Sequence, residues 1–179
     1  RSHGFVVHVL PLPSQGDYTE EGPLDPAHAV WLGCDWQVDV AHCQKVLNDP
    51  VDWIIIDHYA LDYRWEKAMR DKCQKMMCLD DLADRVHECD LLLDQNLGRT
   101  EKDYYEFVSP DTQLLLGPRF ALLRREFTEW RDTSLACREN PKLRHLLVAM
   151  GGVDKDNVTG RVLKTVARCK PTDLEHITV

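Results

Sequence analysis

The stretch Trp53-Ile54-Ile55-Ile56-Asp57-His58-Tyr59 decides how the chain is read. Four large apolar residues follow one another without polar alternation, the pattern of a strand buried on both faces, as in a parallel sheet. The run then stops at a carboxylate, an imidazole and a phenol. In parallel α/β sheets ligands bind outside the carboxyl ends of the strands, so Asp57, His58 and Tyr59 are candidate site residues. Such a trio can transfer protons and hydrogen-bond sugar hydroxyls. The plainer alternative is a helix cap followed by two surface residues.

Similar apolar runs recur outward from this one, at residues 5–10, 75–79, 90–93, 112–116 and 143–150, with a last fragment at Ile177. Helical periodicity fills several gaps between them. Residues 39–48 carry Val40, Cys43, Val46 and Leu47 on one side; residues 62–74 carry Trp65, Met69 and Cys73; residues 121–136 carry Leu123, Phe127 and Trp130. Aromatic stripes at this spacing are read as core. The alternation predicts an α/β fold of βαβ units with a parallel sheet. The polar segment 137–142 reads as a linker, and Pro141 disfavours helix at Asn140. After it, a strand, two glycines and a helix starting near Asn157 open a second Rossmann-like unit.

Composition narrows the function classes. The 179 residues are 44% apolar and 29% charged, with a net charge of −8. A general nucleic-acid binder carries excess positive charge, so that class is disfavoured, and no apolar run approaches a membrane span. Seven cysteines, at irregular spacing and without a CxxC pair, build neither a disulfide framework nor a zinc ribbon. They read as free buried thiols in a reducing, cytoplasmic setting. His28, Cys34, His42 and Cys43 form the most metal-like group, but their spacing fits no usual zinc template, and no metal is expected. The chain opens on Arg1-Ser2-His3-Gly4 and closes as a strand begins, which predicts an excerpt of a longer protein.

Two further strands end in polar residues, Asp80-Asp81 after 75–79 and Asp94-Gln95-Asn96 after 90–93. Asp80 and Asp81 are read as caps of a following helix, ahead of a divalent-metal pair or an acid/base pair. Downstream, Met150-Gly151-Gly152-Val153-Asp154 leads from strand to helix. Glycines there allow close backbone approach, and a helix N-terminus offers free N–H groups to a diphosphate; an ordinary strand–helix turn is the alternative.

These segments occur in an order that resembles a known family. The strings Asp57-His58-Tyr59, Leu79-Asp80-Asp81-Leu82-Ala83-Asp84-Arg85 and Cys89-Asp90-Leu91-Leu92-Leu93-Asp94-Gln95-Asn96 carry the resemblance. So do Leu116-Gly117-Pro118-Arg119-Phe120-Ala121-Leu122-Leu123-Arg124-Arg125-Glu126-Phe127 and Met150-Gly151-Gly152-Val153-Asp154. Together they look like the PseG family, the UDP-sugar hydrolases of pseudaminic acid biosynthesis, with related spore-coat polysaccharide proteins. The resemblance implies a GT-B-like architecture similar to MurG. Residues 1–136 would form an N-terminal Rossmann-like domain lacking its first strand and glycine-rich loop, and residues 143–179 the start of a second domain. It implies that water displaces UDP from UDP-2,4-diacetamido-2,4,6-trideoxy-β-L-altropyranose at the anomeric carbon, with neither cofactor nor metal. Tyr59 and His58 are then the catalytic candidates, and Asp57, Asn96, Gly151, Gly152 and Asp154 the substrate-binding ones. The family's glycine-rich loop with its GxGHxxR-like motif and general-base His has no match here, so the chain alone is expected to be inactive. The competing expectations are a glycosyltransferase of the same architecture and a non-catalytic nucleotide-sugar-binding module. In each case the partner is a UDP-sugar, not a nucleic acid or a membrane.

Overall fold

A computed structural model describes residues 4–11, 22, 25–139 and 141–179, so Arg1, Ser2, His3 and Asn140 lie outside the described residues. The chain divides into two compact units, Arg1–Leu122 and Leu123–Val179. The first is built on strands β1 (Val51–Ile56), β2 (Cys73–Leu79), β3 (Leu91–Asp94) and β4 (Gln113–Leu116). They form one parallel sheet in the order β1-β2-β3-β4, with Ile56 opposite Cys78, Leu79 opposite Leu93, and Asp94 opposite Leu116. The fold is therefore α/β with a Rossmann-like parallel sheet. In this register the polar exits of β1, β2 and β3 gather along one edge.

Helices α1 (Trp36–Val46) and α2 (Tyr63–Met69) pack on the sheet. The α2 helix starts where the Asp62 carboxylate accepts the Arg64 backbone N–H at 2.9 Å. Trp65 and Met69, one turn apart, then point the same way and bury against Val40, Ile56, Leu61, Met76 and Cys78. Each such apolar side chain contributes about 1.5–3 kcal/mol on leaving water. The helix is shorter than the expected 62–74. A 3₁₀ turn at Arg70–Lys72 ends it, and Cys73 begins β2 instead of completing the helical stripe. An apolar residue at that position satisfies both periods, and sheet pairing with Val51 decides between them.

Three other expectations are corrected. Residues 5–10 form no strand, and Phe5 is 75% exposed; β-branched content makes a strand only where a partner and a buried face exist. The sheet is not covered on both faces at β1, where Trp53 and Ile55 are 48% and 63% exposed. No helix follows Asp81. Residues 80–90 run as an irregular crossing between β2 and β3, in which Ala83 takes a left-handed conformation (φ 52°).

Gly117 leaves β4 at φ 90°, ψ 174°, a region open essentially only to glycine. A Cβ there would touch nothing within 4 Å, so the penalty for a side chain is conformational alone. Gly117→Ala is expected to cost about 1–3 kcal/mol in urea unfolding; a change within a few tenths would contradict the assigned conformation.

The second unit comprises α3 (Arg125–Arg138), β5 (His145–Leu147), α4 (Val158–Cys169) and β6 (His176–Thr178). Strands β5 and β6 pair in parallel across α4, a βαβ unit. The stripe Leu123, Phe127 and Trp130 is not core here, since Phe127 and Trp130 are 55% and 66% exposed. An apolar stripe is buried only when a second apolar face meets it, and within this unit none of the described residues supplies one. Among the described residues no helix is long and apolar enough to cross a membrane. None of the seven cysteines is in a disulfide; Cys34 and Cys78 are buried, whereas Cys137 and Cys169 are exposed instead of buried as expected.

Candidate functional site

The carboxyl edge of the first sheet holds a cleft of about 160 Å³ lined by Asp57, Tyr59, Leu79, Asp80, Asp81, Leu93 and Gln95. Each polar wall is the residue at, or just beyond, a strand end. The Tyr59 hydroxyl donates to Asp81 Oδ2 at 3.1 Å. That hydrogen bond, reinforced by the Asp81 charge, raises the Tyr59 phenol above its ordinary pKa. In this contact the Tyr59 hydroxyl is the hydrogen-bond donor and the Asp81 carboxylate the acceptor.

The adjacent His58 turns elsewhere. Its Nδ1 accepts the Ala60 backbone N–H at 3.1 Å, and it does not line the cleft. Successive residues leaving a strand point to opposite sides, which separates His58 from its two neighbours.

Asp80 and Asp81, adjacent in sequence, have different surroundings. Asp80 is buried and belongs to the floor of the cleft. Its Oδ1 accepts from Arg85 Nη1 at 2.8 Å, and its Oδ2 accepts from the Ala83 N–H and contacts the Tyr104 hydroxyl, each at 2.9 Å. Burial alone would raise the Asp80 pKa, but the Arg85 guanidinium and these donors outweigh it and hold the carboxyl below its usual range. Asp80 thus caps a turn, not the expected helix. Asp81 is exposed, and its backbone carbonyl accepts from Asn96 Nδ2 at 3.2 Å and Arg99 Nη2 at 2.7 Å. Those two bonds fix the residue so that its carboxylate meets Tyr59.

Tyr104 joins the strand ends beneath the cleft. Its hydroxyl lies 2.9 Å from Asp80 Oδ2 and 2.9 Å from Asp94 Oδ2, one proton facing two carboxylates. Burial, followed by the Asp80 charge, drives its pKa far upward. Asp94 also accepts from the Asn96 N–H at 2.9 Å and from Arg99 Nε. Asn96 is therefore a brace between β3 and Asp81, not a lining residue, whereas its neighbour Gln95 faces the cleft.

A second buried polar cluster lies within the first unit. Glu66, on α2, accepts from His87 Nδ1 at 2.7 Å and Cys78 Sγ at 3.2 Å on one oxygen, and from the Glu88 N–H on the other. Glu66, Cys78 and His87 are metal-ligand types. Ligands about 2.0–2.3 Å from a tetrahedral zinc stand well over 3 Å apart, so the 2.7 Å contact is that of a direct hydrogen bond. Among the described residues His28, Cys34, His42 and Cys43 form no ligand cluster.

In the second unit Gly151 takes φ 78°, which requires glycine, and Gly151 and Gly152 both stand in open space. The helix that follows is not an open anion site. Asp154 accepts the N–H groups of Val158 and Thr159 at 2.7 and 2.8 Å, and Asn157 accepts that of Gly160 at 3.1 Å. These bonds to Thr159 and Val158 lower the Asp154 pKa. Asp154 is a helix cap whose charge opposes an incoming anion, which corrects the expectation of free N–H groups.

Asp57 and Tyr59 thus come together in the cleft, while His58 and Asn96 stay out of it. Asp81, which reads with Asp80 as a helix cap, and Gln95, the neighbour of the candidate Asn96, face it although neither is a candidate from the sequence. Arg85, Arg99 and Tyr104 carry no periodic signal.

A Rossmann-like parallel sheet with acids and a phenol at its carboxyl edge defines the class, an α/β protein whose strand ends meet at a polar cleft. No family model matches the chain. It is 26% identical over 123 residues to an uncharacterized protein of Methanocaldococcus jannaschii, an alignment covering 68% of this chain and 25% of that protein. It is likewise 26% identical over 127 residues to the UDP-2,4-diacetamido-2,4,6-trideoxy-beta-L-altropyranose hydrolase of Campylobacter jejuni, covering 70% of this chain and 44% of the hydrolase. The chain therefore spans less than half the length of both curated relatives, and the relationship is distant.

Proposed function

We propose that the chain is part of a nucleotide-sugar hydrolase that releases UDP from UDP-2,4-diacetamido-2,4,6-trideoxy-β-L-altropyranose in the cytoplasm. The observation that carries the reading is the convergence of Asp57, Tyr59 and Asp81 in one cleft, together with the distant similarity to a UDP-sugar hydrolase. In this reading Tyr59 donates a hydrogen bond to the sugar or to the attacking water, Asp57 and Asp81 accept from sugar donors, and Asn96 braces Asp81. Residues 1–136 belong to one Rossmann-like domain and 143–179 open a second of a GT-B-type protein, with 137–142 the linker, a division that places most of α3 with the first domain instead of with the compact unit that begins at Leu123. The backbone at Gly151 and Gly152, and not the helix start that Asp154 caps, approaches the diphosphate, with the Asp154 carboxylate turned to the Val158 and Thr159 N–H groups. His58, turned away from the cleft, is the weaker catalytic candidate.

UDP release from this sugar nucleotide tests the reading. The whole protein is expected to turn over and the 179-residue chain alone to be inactive. In the whole protein Tyr59→Phe should lower kcat about 10- to 100-fold, the worth of one hydrogen bond to a charged or developing charge. Full activity in Tyr59→Phe would remove Tyr59 from the reaction. Transfer of the sugar to an acceptor hydroxyl would instead favour a glycosyltransferase, and tight binding without turnover a binding module.

A further inference from the structure

We propose that His28, Trp31 and Tyr59 form a stacking platform for a pyranose ring at the mouth of the acidic cleft, and that Trp31 determines selectivity for the sugar end of the ligand. The identity of that ligand rests on the nucleotide-sugar reading above; the platform itself rests on geometry. Trp31 belongs to a 3₁₀ turn, Ala29–Leu32, closed by Gly33 in the left-handed region (φ 77°). Leu32, the next residue, packs against the core, so the turn is anchored while Trp31 is turned outward and left 60% exposed. A large aromatic presented to water by an anchored turn has lost the hydrophobic gain of burial, which a ligand can restore.

The three rings form one cluster. His28 and Trp31 centroids are 4.4 Å apart at 36°, Trp31 and Tyr59 are 5.8 Å apart at 71°, and His28 and Tyr59 are 5.7 Å apart. His28 lies against the indole and Tyr59 meets it edge-on, which fixes its orientation. Tyr59 also lines the cleft and hydrogen-bonds Asp81, so the apolar platform and the polar wall are continuous through one side chain.

Charge selects which part of a sugar nucleotide this surface accepts. The cleft walls carry the carboxylates of Asp57 and Asp81, which repel a diphosphate and accept hydrogen bonds from hydroxyl and acetamido N–H groups. A neutral acetamido sugar offers those donors at its rim and a C–H face to the indole. The uracil and diphosphate end satisfies only the stacking requirement.

The test is a titration of the chain, followed through the indole N–H signals of its five tryptophans by NMR, with free 2,4-diacetamido-2,4,6-trideoxy-altropyranose and, separately, with UDP. The sugar is expected to shift the Trp31 signal, and Trp31→Ala to weaken sugar binding about tenfold while Trp31→Phe, which keeps a ring, loses less. UDP should leave the Trp31 signal unmoved. Unchanged sugar affinity in Trp31→Ala, no sugar binding by the native chain, or a Trp31 shift produced equally by UDP would overturn the platform. Circular dichroism of each variant separates these outcomes from misfolding, and Tyr59→Phe, which keeps its ring, should retain the shift. If the sugar binds through Trp31 and the whole protein releases no UDP, only the hydrolase reading fails. If UDP is released with equal efficiency in Trp31→Ala, only the platform fails.

Discussion

Glu66→Ala is expected to lower the unfolding free energy by about 3–5 kcal/mol, the cost of removing one partner from a buried polar pair. Glu66 is fully buried on α2 and is the common acceptor for His87 Nδ1, Cys78 Sγ and the Glu88 N–H. Its removal strands the buried His87 Nδ1, leaves the buried Cys78 Sγ with Cys89 alone and frees the Glu88 N–H, and a buried donor without a partner costs about 1–3 kcal/mol. A domain of this size holds roughly 5–15 kcal/mol in total, so the variant approaches unfolding at room temperature. Glu66→Gln keeps an oxygen and the side-chain volume and should lose less. Urea unfolding checks both variants, and a loss below about 1 kcal/mol in the alanine variant would show that the cluster is not a supporting element.

Asp80→Asn should also be damaging, about 1–3 kcal/mol near neutral pH, because it leaves the buried Arg85 with only Asp84, the more exposed of its two counter-charges. This effect has a pH signature. The folded-state Asp80 pKa lies below the ordinary carboxylate value of about 3.9 that the unfolded chain retains. On acidification the unfolded state therefore takes up the proton first. The stabilisation is fully present above about pH 4 and disappears as the pH falls through the depressed folded-state value. Asp90 works in the same direction, held low chiefly by Arg70 and also by Lys75. The native chain should lose stability steeply below about pH 4, and Asp80→Asn should show a shallower acid limb. A stability difference between the two that stays constant from pH 7 to pH 2.5 would sink this assignment.

The sheet was legible because apolar runs are long enough to identify strands without knowledge of their partners. Trp53 to Ile56 and Leu91 to Leu93 lie in observed strands for that reason. Periodicity cannot show whether a partner face exists, which is why residues 5–10 read as a strand and Phe127 and Trp130 as core. Cys73 fits a helix or a strand equally well until its pairing with Val51 is known. The strand-end logic located Asp57 and Tyr59, because chain direction alone places those residues at the ligand edge. The supporting layer was hidden. Tyr104 comes from an irregular connection, and only the closed fold brings its hydroxyl between Asp80 and Asp94. Adjacent letters also concealed opposite fates, since Asp80 sinks into the floor while Asp81 faces the cleft.

The strand order β1-β2-β3-β4 has a consequence for how the first unit is made. Cys73 pairs with Val51, Leu91 with Met77, and Gln113 with Leu91, so every strand meets the one synthesised just before it. A parallel sheet usually requires distant segments to find one another, and the closure entropy of those long loops slows folding. Here each new strand has a template waiting as it leaves the ribosome, and the sheet can grow by accretion along its open edge. The carboxylates and the phenol of the cleft then arrive in chain order, and Tyr104, coming after Asp94, is the group that locks the assembled edge.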